Sequence, residues 1–391
     1  MAGRRNEAGA STPRKSPSNP APSMRFKSVV LALLLAAACT SASAQGAGAV
    51  HLAVVGLVHD HARLLFPMLK GRNDLKLVGI VEGDPEIIGY YEEHFHLSAD
   101  LFYPTLQALL AKEKVQAVAA FTSTAGHRAV VEACAPLGID VMMEKPMATS
   151  LEDAKAIAAA AARGGIQVLV NFETTWYPSN TLAFDLVNGS HLIGSPRKIL
   201  VQDGNQGPLA IKTTPFFFKW LTDPSQGGGA SLDFGCYGAD LISWMMHGER
   251  PRTVTAVMQN FQPETYTRVE DESTIVLVYP QTQGVIQASW NWPFGRKDME
   301  IYGQSGSVAV PNRDFVRIRV GDDPVRQESA PALIGADSEQ LSYLAAIVRG
   351  ERKTTGMSSI ALNMLVTEIL DAARESARTG KTVSLPEKQP W

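Results

Sequence analysis

The sequence predicts an α/β chain in two unlike parts: a parallel sheet wound with helices, then an α+β half built on a mixed or antiparallel sheet. Three observations carry this. Short apolar runs rich in β-branched residues alternate with helical patterns between residues 50 and 170, the rhythm of successive βαβ units. From residue 199 the rhythm changes to strand-like segments at short spacing, with Gly, Pro and Asn turns between several of them. A long amphipathic pattern over 361–377 then closes the chain and stops at Thr379-Gly380.

The 391 residues suffice for two cores, since single domains run to roughly 100–200 residues. The expected division is 1–44 as a targeting peptide with an N-terminal extension, 45–170 as a dinucleotide-binding domain, and 171–391 as a substrate and oligomerisation domain. Composition is that of a globular protein, 45% hydrophobic and 19% charged.

Arg25 and Lys27 precede an apolar run over 29–38, and Ala42-Ser43-Ala44 stands before Gln45. This is the pattern of a signal peptide cut after Ala44, and the run falls far short of the roughly 20 residues a spanning helix needs. The chain is therefore expected to be exported, periplasmic or secreted, with lipidation at Cys39 as the lesser alternative. Six of the 36 Lys/Arg and one of the 39 Asp/Glu lie in residues 1–44. Their removal leaves 30 bases, 38 acids and a formal charge of -8. No basic cluster suited to a phosphate backbone is present, which excludes nucleic acid as a partner. Cys134 and Cys236 then remain, too far apart to suggest a disulfide framework or a metal site, and are read as small buried apolar residues.

The first strand, 50–55, runs straight into Gly56-Leu57-Val58-His59-Asp60-His61 and then a helical pattern on Ala62, Leu64, Leu65, Met68 and Leu69. Strand, glycine turn and helix open a dinucleotide-binding unit, although Val58 and His61 stand where the fingerprint has its second and third glycines. The second strand, 75–81, ends in Glu82, 26 residues after Gly56. An acid there grips ribose hydroxyls and repels a 2′-phosphate, which favours NAD over NADP; the alternative is a loop acid before the turn Gly83-Asp84-Pro85. A helix over 104–112, a strand over 115–121, the loop from Thr122 and Ser123 to His127, and a helix through Leu137-Gly138 follow. The next strand ends in Glu144-Lys145-Pro146. Charge at the carboxyl end of a buried parallel strand lies where such sheets carry their chemistry, against the alternative of a surface ion pair. Ser150 caps a helix over 151–162, and a strand over 166–170 leads to Asn171. Two H-x-H pairs, His59/His61 and His94/His96, raise the question of a metal. No carboxylate or cysteine set stands beside them at ligand spacing, so no metal is assigned and they are read as loop or cap histidines.

In the second half, strands are expected over 199–202, 253–259, 273–278, 285–292, 299–302 and 315–320. The run Gly227-Gly228-Gly229 leads into a helical pattern in which Asp233, Tyr237 and Asp240 fall at i, i+4 and i+7 and so share one face. This face is either an active-site wall or one side of an ordinary capped helix. Phe216, Phe217, Phe218 and Trp220 precede it, as a sugar-stacking platform or as core or interface.

Together these residues resemble the Gfo/Idh/MocA oxidoreductases, from about residue 50 to residue 383. Gly56 follows the first strand as in the family. Thr122 to His127 is similar to T-P-N-x-x-H, Glu144-Lys145-Pro146 to E-K-P, and Asp233 to Asp240 to D-x-G-x-H-x-x-D. Ala373, Ser376, Thr379, Gly380 and Val383 match A-x-x-S-x-x-T-G-x-x-V. The resemblance implies a Rossmann domain, an open-faced second sheet that often pairs subunits into a homo-oligomer, a nicotinamide cofactor and a small sugar or polyol substrate. Gly56, Val58, His59, Glu82, Thr122, Ser123, His127, Glu144 and Lys145 would line the cofactor, while Lys145, Tyr237 and Asp233 would be catalytic. Tyr237 stands where most members have His, and glucose-fructose oxidoreductase and the dihydrodiol dehydrogenases are similar in this. A free phenol has pKa ~10, and the Lys145 ammonium is expected to favour its phenolate. The expected function is an exported NAD(P)-dependent oxidoreductase acting on CH–OH groups, with NAD held tightly. The alternatives are redox-assisted glycoside cleavage with retained NAD, and a sugar-binding protein without cofactor.

Overall fold

The computed structural model describes residues 48–386. The targeting peptide, its cleavage after Ala44 and Cys39 lie outside the described residues, which themselves belong to one compact unit.

The first sheet holds β1 (Val50–Val55), β2 (Leu75–Val81), β3 (Phe102–Tyr103), β4 (Ala117–Ala120), β5 (Asp140–Glu144) and β6 (Val168–Asn171). All are parallel, in the order β3-β2-β1-β4-β5-β6. The crossovers carry α1 (Ala62–Leu69), α2 (Pro85–Phe95), α3 (Leu106–Leu110), α4 (His127–Cys134) and α5 (Leu151–Gly164). Strand order reverses between β1 and β4, which opens a crevice at their carboxyl ends. Central strands covered on both faces read as unbroken apolar runs, and Val141, Met142 and Met143 of β5 are fully buried accordingly. The Ser150 hydroxyl accepts the Asp153 amide at the start of α5, and Gly165 ends it at φ 65°.

The second sheet is mixed. It is formed by β7 (Pro196–Gly204), β8 (Thr253–Gln259), β9 (Glu272–Val278), β10 (Gln283–Ser289), β11 (Arg296–Gly303), β12 (Gly306–Val310), β13 (Phe315–Val320), β14 (Arg326–Ser329) and β15 (Val383–Ser384). Their order is β14-β13-β12-β11-β7-β10-β9-β8-β15, antiparallel except where β7 meets β10. The chain between the sheets and through the second sheet adds α6 (Pro178–Phe184), α7 (Pro215–Leu221), α8 (Ala230–Asp233), α9 (Gly235–Met245), α10 (Gln340–Val348) and α11 (Ile360–Thr379). The helices α9 and α11 cover this sheet through β7, β8 and β10. α10 instead buries Leu341, Leu344 and Ile347 in the same cluster as Leu52, Val54 and Met142 of the first sheet. A helix from late in the chain thus completes the earlier core.

The expected single helix face through Asp233, Tyr237 and Asp240 does not form. The helix breaks at Phe234, between α8 and α9, so Asp233 sits at the end of one segment while Tyr237 and Asp240 ride the next. Asp240 points into the core, fully buried, with neither carboxylate oxygen hydrogen-bonded, and burial pushes its pKa well above the usual carboxylate range.

Candidate active site

The carboxyl end of β5 faces α8 across the two halves of the chain. Gly229, at φ 107°, starts α8 in a conformation that L side chains rarely adopt, and this turn delivers Asp233 to Lys145. The Lys145 ammonium donates to Asp233 Oδ1 at 2.6 Å and to the Asp233 carbonyl at 2.9 Å, and both side chains are nearly buried. Burial alone would lower the lysine's pKa; the Asp233 carboxylate outweighs it and raises that pKa, so the group stays charged. Trp290 Nε1 donates to the other oxygen of Asp233 at 3.0 Å. An ammonium has three N–H bonds, so one is left for a ligand.

Tyr237 stands beside this pair, but the expected activation is absent. Lys145 lies over the face of the ring, 5.2 Å from its centroid, and does not bond the hydroxyl. Burial first, and then the Glu173 carboxylate, push the phenol well above its ordinary range, so Tyr237 is a neutral donor rather than a phenolate. Its hydroxyl partner is Lys297 of β11, with Nζ at 3.3 Å, and Lys297 also pairs with Glu173. Lys297, Glu173 and Asn171 are site residues that the sequence did not single out.

Glu144, expected at the cofactor, is buried and committed. Its Oε2 lies 2.9 Å from His61 Nδ1, and its Oε1 accepts from Asn171 Nδ2 at 2.9 Å. Burial would raise its pKa, yet the His61 charge and hydrogen bond reverse the sign, and the carboxyl is held below its usual range. His59 Nε2, without a partner, lies 4.0 Å from the same oxygen. A carboxylate thus does join the first H-x-H pair, and the three ligand atoms lie within 4.8 Å of one another. Hydrogen bonding nevertheless decides against a metal. His59 Nδ1 accepts the His61 amide at 3.2 Å, and burial holds the ring neutral. Its single proton therefore sits on Nε2, leaving no lone pair there to coordinate. His94 stacks on Tyr90 and His96 ends α2 in the left-handed region, away from this cluster.

Lys145, Asp233, Tyr237, Glu173, Lys297 and His61 all border one cavity of about 800 Å³, walled also by Phe217, Arg296 and Arg313. A second space of about 230 Å³, lined by Glu144 and Asn171, shares His61, Glu173, Tyr177 and Arg313 with it. Gly56, Val58, Glu82, Thr122, Ser123 and His127 line neither.

These six residues meet the demands of NAD unevenly. Gly56, at φ 75°, makes the tight turn after β1, and a Cβ there would come within 2.8 Å of Thr122. Glu82 ends β2 as expected, but its carboxylate accepts the amides of Leu57, Gly83 and Asp84. Within the turn itself the N–H groups of Gly56, His59 and His61 are also bonded internally, to Val81 O, Phe121 O and His59 Nδ1. Helix α7 lies on this turn. Trp220 Nε1 donates to Val58 O at 3.1 Å, Asp60 accepts the amide and hydroxyl of Thr214, and Phe217 and Trp220 enclose the His59 ring. The aromatic run is thus mainly packing over the first half, with Phe217 also at the cavity. Ser123 is bonded to Gln226, and His127 is buried beneath, Nδ1 against the carbonyls of Pro146 and Met147. The acid at the end of β2 and the lysine at the end of β5 fit the two ends of a dinucleotide; the turn between them is covered.

Residues 50–172 match the model of an oxidoreductase family with an NAD-binding Rossmann fold, and residues 189–309 match the Gfo/Idh/MocA C-terminal domain. Among curated proteins the chain is 28% identical over 186 residues to a trans-1,2-dihydrobenzene-1,2-diol dehydrogenase of Xenopus laevis, covering 48% of this chain and 52% of that one. The match therefore spans about half the length of that relative. It is 29% identical over 337 residues to a D-apiose dehydrogenase of Paraburkholderia graminis, covering 79% and 83%. Among solved structures, an aldose-aldose oxidoreductase from Caulobacter crescentus, complexed with glycerol, superposes with TM-score 0.72 at 23% identity over 86% of this chain and 100% of that one. An inositol dehydrogenase homolog from Azotobacter vinelandii, complexed with NAD+, does so with TM-score 0.73 at 18% identity over 87% and 98%. With both halves matched, the chain belongs to the Gfo/Idh/MocA oxidoreductases, whose Rossmann fold takes NAD as its cofactor.

Proposed function

We propose that the chain is an exported oxidoreductase that uses NAD to interconvert a hydroxyl and a carbonyl on a sugar, polyol or diol. The observation that carries this reading is the convergence of Lys145, Asp233 and Tyr237, from the end of β5, α8 and α9, on one cavity. A space of about 800 Å³, with charged and hydroxyl groups beside aromatic faces, suits a small polyhydroxylated ligand. The names of the similar apiose, dihydrodiol and aldose enzymes support the same substrate class. Export is supported by the signal pattern of residues 1–44.

NAD, when bound, supplies the acceptor or donor of hydride. Glu82 and the Gly56 turn would hold its ADP half, and Lys145 would border its nicotinamide. The chain's own residues do the rest. Lys145, fixed by Asp233, offers its remaining N–H to the substrate oxygen and stabilises negative charge developing there. Tyr237 donates a hydrogen bond from a hydroxyl anchored by Lys297. Arg296 and Arg313 offer donors to further hydroxyls.

The test is a panel of sugars and polyols assayed at the nicotinamide absorbance band with the mature protein, together with a search for nicotinamide released on denaturation. Turnover of one member, or retained NAD, supports the reading. A second reading, a sugar-binding protein without cofactor, is favoured by the internally bonded turn under α7. No NAD retained and none taken up from excess would select it.

A further inference from the structure

Residue 61 replaces a fingerprint glycine, and its side chain has a specific setting. Its Nδ1 lies 2.9 Å from Glu144 Oε2. That carboxylate cannot turn away, because its other oxygen takes Asn171 Nδ2 at 2.9 Å, and Asn171 Oδ1 in turn takes the Trp176 indole N–H at 2.9 Å. A carboxylate kept ionised only accepts hydrogen bonds, so the proton between the two groups resides on His61 Nδ1. Whenever the ring is neutral, its lone pair is therefore on Nε2. That nitrogen has no hydrogen-bond partner among the described residues, while the imidazole is 31% exposed and borders both cavities. A buried carboxylate that fixes a histidine's tautomer so that the far nitrogen meets the ligand is the division of labour found in hydrolytic triads.

The other polar groups of the cavity leave this task open. Tyr237 is a neutral phenol, and Lys145 is held as an ammonium by Asp233. Neither is a ready proton acceptor, whereas an imidazole with its lone pair on Nε2 is. The charged groups facing His61 are Glu144 and Lys145 from β5, Glu173 beyond β6, Arg313 ahead of β13 and Glu339 at the start of α10, with Asp60 and Arg63 on its own segment.

We propose that His61, positioned by Glu144, exchanges the proton with the substrate oxygen in this cavity. In the oxidative direction the substrate O–H bond breaks and its proton goes to Nε2. The hydrogen on the same carbon leaves as hydride to NAD, and the carbonyl forms. This rests on the oxidoreductase reading above.

Two measurements test it. Nitrogen-15 NMR of the mature protein, with the signal assigned by its loss in His61→Gln, reads the tautomer: Nδ1–H in the wild type, and a mixture in Glu144→Gln, whose amide can present N–H to the ring. The Nε2–H tautomer in the wild type overturns the proposal, whatever the variants do. On a substrate found in the panel, His61→Gln lowers kcat by about 100-fold or more with KM changed little. Wild-type turnover with kcat of His61→Gln within twofold overturns the histidine's role alone. No wild-type turnover on any substrate overturns the oxidoreductase reading, and that role with it.

Discussion

Lys145 Nζ meets Asp233 Oδ1 at 2.6 Å, so an ammonium at the end of the first sheet and a carboxylate at the end of α8 neutralise one another out of reach of bulk water. Removing one partner of such a pair strands the other, at about 3–5 kcal/mol, whereas removing both can be nearly neutral. Asp233→Leu is therefore expected to destabilise the protein by several kcal/mol in urea unfolding. The double variant Lys145→Met/Asp233→Leu is expected to recover most of that loss. Additive losses would show that the pair contributes no coupling.

Lys145 also carries a catalytic prediction. Lys145→Met removes the charge that holds the substrate oxygen but keeps the length of the side chain. It is expected to lower kcat by about 10²–10⁴-fold while NAD, followed by its fluorescence, binds as in the wild type. Unchanged turnover would sink the assignment of Lys145.

The end of β5 was legible in the sequence because an apolar strand that stops abruptly at Glu-Lys-Pro leaves charge where a parallel sheet exposes its edge. The strands 50–55, 75–81, 253–259 and 315–320 were legible to the residue, for the same reason of compact apolar runs. Glu144's true partners were not, because His61 lies 83 residues away and Asn171 27 away, and neither spacing is periodic. Lys297 was hidden in a charged stretch of β11; only the cross-strand register, which sets it against Asp203 of β7, points it at Tyr237. The break at Phe234 was invisible to helical periodicity, which runs on at i, i+4 and i+7 whether or not the backbone does. α2 left a readable signal, Asp84 as cap and Pro85 at the first position, but the same residues spell a turn.

Asp240 gives the fold a pH dependence whose sign follows from burial. In the unfolded chain its carboxyl titrates near 3.8, and in the folded chain well above that. Below the lower value both states hold the proton and nothing is lost. As pH rises toward the folded value the unfolded chain releases its proton first, so stability falls. Asp240→Asn has no proton to lose. Its Tm relative to the wild type is expected to climb from pH 4 to pH 8 in calorimetry; parallel pH curves would refute the buried acid. His127 slopes the other way: burial lowers its pKa to about 4, so the stability it confers is complete above pH 6.5 and drains as pH falls toward 4. Between about pH 4 and pH 6.5 the two slopes therefore oppose one another.

Helix α7 makes cofactor entry a matter of unpacking. The turn that would meet a pyrophosphate has its Gly56, Leu57, His59 and His61 N–H groups already bonded within the chain, and Trp220 closes over it through the Val58 carbonyl. On this geometry a cofactor approaching the turn from that side meets the α7 layer first. The indole hydrogen bond is worth about 1 kcal/mol net, and losing the ring's packing on His59 adds to that. Since each 1.36 kcal/mol is tenfold in rate, Trp220→Ala is expected to speed NAD association by about tenfold. Asp60→Ala, which frees Thr214 at the other end of the helix, should act in the same direction. Stopped-flow fluorescence reads both. An association rate unaltered in the two variants would mean that α7 does not stand in the cofactor's way.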